Sequence, residues 1–476
     1  MQKSFLFLLF LTLSIGVLAQ SRRVNPNAPQ PATSAAIGAM NELTAEQLFN
    51  EANTFAKNKF AEFELQKKPF NDNLYKQTLL DQKQLAAKYA TLISQRENLA
   101  GEDFYYLGML NWLAENPDNA AEVFQKFLAG ENPSIEKAQT ARSIVIVIAA
   151  RRKNFNEAEK NLAEYLKISP VKLSEHAKIE SELAKSYQAE SDFAKAAPHA
   201  EEAYSATKAV FKSLSSRAKG LDQLLDSGMT VFDIYKAEGK QKEAENALDD
   251  LRKTAALFES SNLYYYTVDQ NIRYLIETNR KPLALQMYLA ALSQASKDFS
   301  VKPLQEDVVR RLKKREKHYR LLGETAPELT DIDQWFPGQP QTLAGMRGKV
   351  VMLDFWATWC GPCLTAFPSL IEWQQTFQKD GFEILGVTRY FGQAEGFSVD
   401  KPTEINFLQR FQKVQRLPYD FVVAKDNTNQ IVYGATAIPT AVLIDRKGII
   451  RYIDTGSSST REEEIREMIV KLLAEK

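Results

Sequence analysis

The stretch VVMLDFWATWCGPC, residues 350–363, contains both cysteines of this 476-residue chain and sets a single carboxylate, Asp354, inside an apolar run. Val350 to Trp356 is nearly continuous apolar sequence, the pattern of a central strand buried on both faces. Cys360-Gly361-Pro362-Cys363 then opens a helix, and a spacing of three brings the two sulfurs together across its first turn. Cys360 falls at the helix N-terminus, where unpaired N–H groups and the helix dipole favour an anion and lower a thiol pKa. Lowering that pKa from about 8.5 to about 7 raises the thiolate fraction at pH 7 roughly 15-fold. Reduced nucleophilicity returns a factor of roughly 5, so the net gain in attack rate is only about threefold. The lowered pKa therefore matters at least as much for making Cys360 a good leaving group. Two blander readings compete. A zinc half-site would need two more ligands, yet no other cysteine exists and His176, His199 and His318 all lie far upstream. A purely structural disulfide would close so small a loop that it gains little entropy.

Working outward, the composition changes at Gly323, where Pro, Gly and β-branched residues enter. The pattern predicts strands at 349–356, 382–388, 419–424 and 440–445, with helices from Gly361 to about Lys379, near 403–415 and around 428–434. The turn RKG (446–448) joins the fourth strand to another at 449–454 as a hairpin, and a last helix runs over about 460–475. Strands alternating with helices predict a partly parallel sheet covered on both faces.

Upstream, residues 42–322 are dominated by Ala, Leu, Lys, Glu and Tyr at helical spacing. Ala120, Ala158, Ala196, Ala244 and Ala284 recur at intervals of 38, 38, 48 and 40 residues. Each has buried-type residues four and seven positions later, such as Phe124 and Phe127 after Ala120. A small residue lets two helices approach, and residues four and seven on fill the groove, which predicts stacked helix hairpins. An irregular helical bundle is the alternative. SIVIVIAA (143–150) has strand propensity, but it occupies a first-helix position and is assigned to a helix buried on several sides. The basic run RRLKKREKHYR (310–320) is assigned to a solvated helix end, where cations suit the C-terminus.

The N-terminus, MQKSFLFLLFLTLSIGVLAQS, has Lys3 as a short positive region, an apolar core over Phe5–Leu18, and small residues before Gln20. It is the pattern of a secretory signal cleaved after Ala19, shorter than a span of about 20 apolar residues. Residues 20–41, rich in Pro, Ala and Asn, form a linker. An extracytoplasmic (periplasmic or secreted) protein is expected, in a compartment where disulfides persist. Lys+Arg and Asp+Glu are both 60, and the absence of a basic excess argues against nucleic acid as a partner. Nothing calls for a cofactor or a metal.

WCGPC after a buried strand, Pro368 five residues past Cys363, and Ile438-Pro439-Thr440 before a strand resemble the thioredoxin fold. APEL (326–329), GKVVMLDFWATWC and the long segment before IPT resemble its extracytoplasmic TlpA/ResA-like branch. Leu107, Gly108, Ala120, Phe124 and Pro133 are similar to the tetratricopeptide consensus, at a longer period than its usual 34 residues. The chain is thus expected to be multidomain: a signal peptide (1–19), a linker (20–41), an all-α helical repeat (TPR-like) domain (42–322), and an α/β thioredoxin-like domain (323–476). The resemblance implies that Cys360 is the attacking thiol and Cys363 the buried resolving thiol. It implies that Pro439 is cis beside them, with the Ile438 backbone pairing with substrate and Trp359 and Pro362 bordering the binding surface. In thioredoxin an aspartate occupies the position of Asp354; burial raises such a carboxyl's pKa, and it can accept the proton of Cys363. A hydrogen-bonded polar group with no proton role is the bland alternative. ResA-like reductases carry Glu three residues after the second cysteine, where this chain has Ala366, so the acid–base burden is expected on Asp354.

The leading expectation is a thiol–disulfide oxidoreductase reducing protein disulfides through a Cys360 mixed disulfide. It would be re-reduced by a membrane electron donor, with an unidentified partner on the helical repeats. The alternatives are a repeat-based scaffold with minor thiol chemistry, a disulfide oxidase or isomerase, and a peroxidase, whose typical active cysteine lies outside a C-x-x-C pair.

Overall fold

A computed structural model describes residues 42–213 and 220–475. The expected signal peptide and linker lie outside the described residues. The chain forms an all-helical region followed by a mixed-sheet, thioredoxin-like domain. Among the described residues no helix is long and apolar enough to cross a membrane.

Compactness divides the chain into two units, up to Ile168 and from Ser169. The first contains α1 (Ala45–Leu65), α2 (Asp72–Ser94), α3 (Glu102–Leu113), α4 (Pro117–Leu128), α5 (Ile135–Arg151) and α6 (Phe155–Leu166). Thr44 starts α1 with a reciprocal cap: its hydroxyl accepts from the Gln47 N–H at 3.2 Å, and its own N–H donates to Gln47 Oε1 at 2.9 Å. Ala120 on α4 and Ala158 on α6 are fully buried, with Phe124, Phe127, Leu162 and Tyr165 buried on the same faces. Gly108 on α3 shows why a small residue is needed at such a crossing: a Cβ there would lie 2.6 Å from the Phe124 ring. The strand-prone run 143–150 lies within α5, and Ile144 to Ala150 are all buried. Helix propensity differs by only tenths of a kcal/mol for such residues, so burial decides.

The second unit begins with α7 (Leu173–Ala189), α8 (Phe193–Ser213), α9 (Leu221–Glu238), α10 (Gln241–Leu257), α11 (Ser261–Glu277), α12 (Lys281–Asp298) and α13 (Lys302–Leu321). Ala196, Ala244 and Ala284 are again fully buried, on the second helix of each pair α7/α8, α9/α10 and α11/α12.

The sheet follows, in the order β1 (Ile332–Phe336), β6 (Asp420–Ala424), β3 (Phe382–Arg389), β2 (Val350–Phe355), β7 (Thr440–Ile444), β8 (Ile450–Thr455). β2 is central and buried along its whole length, parallel to β3 and antiparallel to β7. Helices α14 (Gly361–Phe377), α15 (Lys401–Gln415) and α17 (Ser459–Ala474) cover the face of β2 that carries Val350, Met352 and Trp356. The other face carries Phe355, which packs on Tyr433 of α16 (Thr428–Tyr433) with ring centres 5.5 Å apart. A short hairpin, β4 (Gln393–Ala394) and β5 (Phe397–Ser398), fills the segment before α15.

One expectation changes. The basic run 310–320 does not end in solvent: Arg315, His318 and Tyr319 are buried. Arg315 pairs with Asp269 and Asp454, so acidic partners distant in sequence draw its charge inward. The Arg315 bonds to Asp454 and to the Ile453 carbonyl tie α13 to β8 of the sheet.

Candidate active site

β2 ends at Phe355, and the Trp356 N–H still donates to Val387 O at 3.1 Å. The chain then turns through Ala357–Trp359 and enters α14 with Cys360 as its N-cap in extended conformation. The Cys363 N–H donates to Cys360 Sγ at 3.2 Å, satisfying one of the helix's free donors. Pro362, in the first turn, has no N–H to leave unpaired there. Cys360 and Cys363 form a disulfide, with Cα atoms 5.2 Å apart. Cys363 is 1% exposed and Cys360 4%. Around them Trp359 is 53% exposed, Pro362 is exposed, and Leu364 is partly so, leaving an apolar rim over a buried sulfur pair.

The cis-proline loop lies against the same core. The Ile438–Pro439 peptide is cis. Ile438, half-buried, packs against the cluster that contains both cysteines. Pro439 is buried, and its carbonyl accepts from the Gly456 N–H at 2.8 Å. Thr440 Oγ1 donates to Ala437 O at 2.6 Å and meets Thr455 Oγ1 at 2.9 Å.

Asp354 sits between Gly386 on β3 and Ala441 on β7. Alternation along β2 puts it on the face of Met352 and Trp356, whose core cluster includes both cysteines. It is 3% exposed. Burial pushes its carboxyl up to about 7, and the positive charge of Arg461 on α17 acts in the opposite direction. A carboxyl at that value exchanges protons readily near neutrality. Ala366 is buried on α14 and supplies no carboxylate.

Cys360, Cys363 and Ile438 thus share one cluster, Asp354 faces it from the strand, and Trp359 and Pro362 border it. Three contributors escaped the sequence. Trp359 stands edge-on to Phe391, with ring centres 5.3 Å apart, and the Arg389 guanidinium lies 4.2 Å over that ring. The segment is fixed by buried Glu404, which accepts from the Phe391 and Gly392 N–H groups at 2.8 and 3.0 Å. An acidic residue in the first turn of a helix that begins D-K-P looks like an ordinary dipole partner, and nothing local shows that it reaches back to residue 391.

Residues 322–453 match the model of the AhpC/TSA family. The chain is 34% identical over 146 residues to the thiol-disulfide oxidoreductase ResA of Geobacillus thermodenitrificans, covering 30% of this chain and 73% of that protein. It is 28% identical over 142 residues to the thioredoxin-like protein YneN of Bacillus subtilis, covering 30% and 76%. Among solved structures, a putative thiol:disulfide interchange protein DsbE from Chlorobium tepidum aligns over 32% of this chain and 98% of its own, at 28% identity and a TM-score of 0.26.

Proposed function

The chain belongs, through its C-terminal third, to the thioredoxin-like thiol–disulfide oxidoreductases that include ResA, and on that premise we propose that it reduces protein disulfides outside the cytoplasm. The supporting observation is the redox pair itself: a buried disulfide at a helix N-terminus, under an exposed apolar rim and beside a buried carboxyl. In the reduced form the Cys360 thiolate, favoured by its N-cap position, attacks a substrate disulfide. One substrate sulfur leaves as a thiolate and the other is held on Cys360. Asp354 takes the proton of Cys363, whose sulfur then attacks Cys360 Sγ and releases the second substrate thiol. Two electrons pass to the substrate, and the Cys360–Cys363 disulfide is restored. Trp359, Pro362 and the Ile438–Pro439 edge contact the substrate chain. The TPR-like helix pairs supply further binding surface for a partner protein, and a membrane electron donor returns the pair to the dithiol.

The direction of flow is testable by potential. Known members of the fold range from about −270 mV for thioredoxin to about −120 mV for a strong oxidant, a gap of roughly 7 kcal/mol. Gly-Pro between the cysteines, with no histidine there to stabilise a thiolate, favours the reducing end. The expected midpoint lies nearer −270 than −120 mV, with insulin reduction in the presence of dithiothreitol. Titration against glutathione giving a value above about −180 mV would favour an oxidase or isomerase instead.

Location is tested separately. Protein recovered from the extracytoplasmic fraction of its host is expected to begin near Gln20 on N-terminal sequencing. A chain beginning at Met1 in the membrane fraction would show an uncleaved anchor.

A further inference from the structure

We propose that helix α13 is a positioning element of the redox site: through His318 and Arg315 it grips both ends of the Ala435–Pro439 loop, so that protein-substrate affinity depends on the helical region. This rests on the reading that the Ile438 edge pairs with substrate.

The loop begins at Gly434, the C-cap of α16, in left-handed conformation (φ +67°). Its carbonyl meets His318 Nε2 at 3.0 Å. A Cβ at residue 434 would lie 2.9 Å from His318 Cδ2 and 3.0 Å from Lys317 Cγ, so the Gly434 backbone packs directly against these two side chains. The proton's place follows from the partner on the other ring nitrogen. Arg315 Nη1 lies 3.1 Å from His318 Nδ1, and a guanidinium only donates. Nδ1 therefore accepts, and Nε2–H donates to Gly434. Burial and the Arg315 charge hold His318 down at about 4, which keeps this neutral tautomer at physiological pH.

The other end of the loop is held through β8. Arg315 Nη1 donates to Asp454 Oδ1 at 2.8 Å, and Nη2 donates to Ile453 O at 3.2 Å. The next two residues carry the loop's far anchor: Thr455 Oγ1 meets Thr440 Oγ1, and the Gly456 N–H donates to Pro439 O. Arg315 is itself fixed from the helical side by Asp269, which accepts from Arg315 Nε at 3.3 Å and from the Tyr319 hydroxyl at 2.6 Å. The Asp454 carbonyl also accepts from Arg461 Nη2 at 2.7 Å, and Arg461 is the cation that opposes the upward shift of Asp354. One helix thus reaches the start of the loop, the strand end that holds its finish, and the residue that places Arg461.

Removing Arg315 would leave the buried Asp269 carboxylate without its Arg315 partner, so the test uses His318. In the full-length chain, His318→Leu removes the donor to Gly434, whereas His318→Gln retains a donor and an acceptor. With insulin as substrate, His318→Leu is expected to raise KM about fivefold, the scale of one neutral hydrogen bond. Its kcat, and its rate with oxidised glutathione, should stay within about twofold of the parent's, since a small disulfide makes no extended backbone contact. His318→Gln should return KM toward the parent value. An unchanged KM in a His318→Leu variant that melts like the parent would overturn the proposal. So would an equal loss with insulin and glutathione, which would mean general damage to the site. If the parent chain itself reduces glutathione but not insulin, the reading of protein disulfides as substrate fails, and this inference fails with it.

Discussion

Replacing Asp354 by Asn is expected to stabilise the oxidised protein at alkaline pH while slowing its turnover. The carboxyl titrates at about 7 instead of the ordinary 3.8, because the folded protein holds it out of water. A group whose folded pKa is raised binds its proton more tightly in the folded state. Stability therefore falls as pH climbs from about 4 through about 7, and the loss is complete above that. The displacement corresponds to at most about 4 kcal/mol. Asn cannot ionise, so its advantage over the parent should widen by about 2–3 kcal/mol between pH 5 and pH 9 in urea unfolding. A pH-independent difference would show that the carboxyl is not held in its neutral form. The kinetic consequence has the opposite sign. Only the ionised carboxylate can take the Cys363 proton, so resolution in the parent should accelerate as pH rises through about 7. The Asn variant should lose that limb and resolve the mixed disulfide about 10²-fold more slowly, within the usual range for a positioned base. Unchanged resolution at pH 7 would leave Asp354 as a packing residue only.

The second large effect concerns the cysteines, which are not equivalent. Cys360 caps α14 next to the exposed Trp359 and Pro362, while Cys363 lies one helical turn inward and is 1% exposed. Cys360→Ser should abolish both half-reactions, because a hydroxyl is neither a competent nucleophile nor a leaving group here. Cys363→Ser should leave the first attack intact and block its resolution. Both variants should lose steady-state insulin reduction by on the order of 10³-fold or more, but only Cys363→Ser should accumulate a covalent complex. Turnover surviving in Cys363→Ser would point to resolution by an external thiol.

The redox half of the molecule was legible because its signals are local. An apolar strand, a turn and two cysteines at helical spacing fit within 14 residues, and the elements that follow appear within a few residues of their expected bounds. The helix pairs were legible from five alanines, all fully buried, because a close helix crossing restricts residue size at one position. What was missed depends on partners distant in sequence. β1 forms against β6, whose partner residues lie 85 to 92 positions downstream, and its five residues show no apolar alternation. Arg315 looked like one cation among many, since its ligand Asp454 lies 139 residues away and the carbonyl held by His318 lies 116 away. Charge counting assigns such a run to solvent; only the fold shows that Arg315, His318 and Tyr319 are enclosed. Phe391 and Glu404 were missed for the same reason, lying in a segment whose shape comes from a first-turn helix carboxylate reaching back to the chain just past a strand end.

The central claim is that Cys360 carries the substrate, and a trap tests it most directly. The full-length Cys363→Ser protein, reduced and then mixed with insulin, is digested under non-reducing acidic conditions and mapped by mass spectrometry. A peptide containing Cys360 joined by a disulfide to an insulin cysteine, absent from the Cys360→Ser control, is the predicted result. No such cross-link, from a protein whose Cys360 is shown to be reduced and reactive toward a small alkylating agent, would contradict the account.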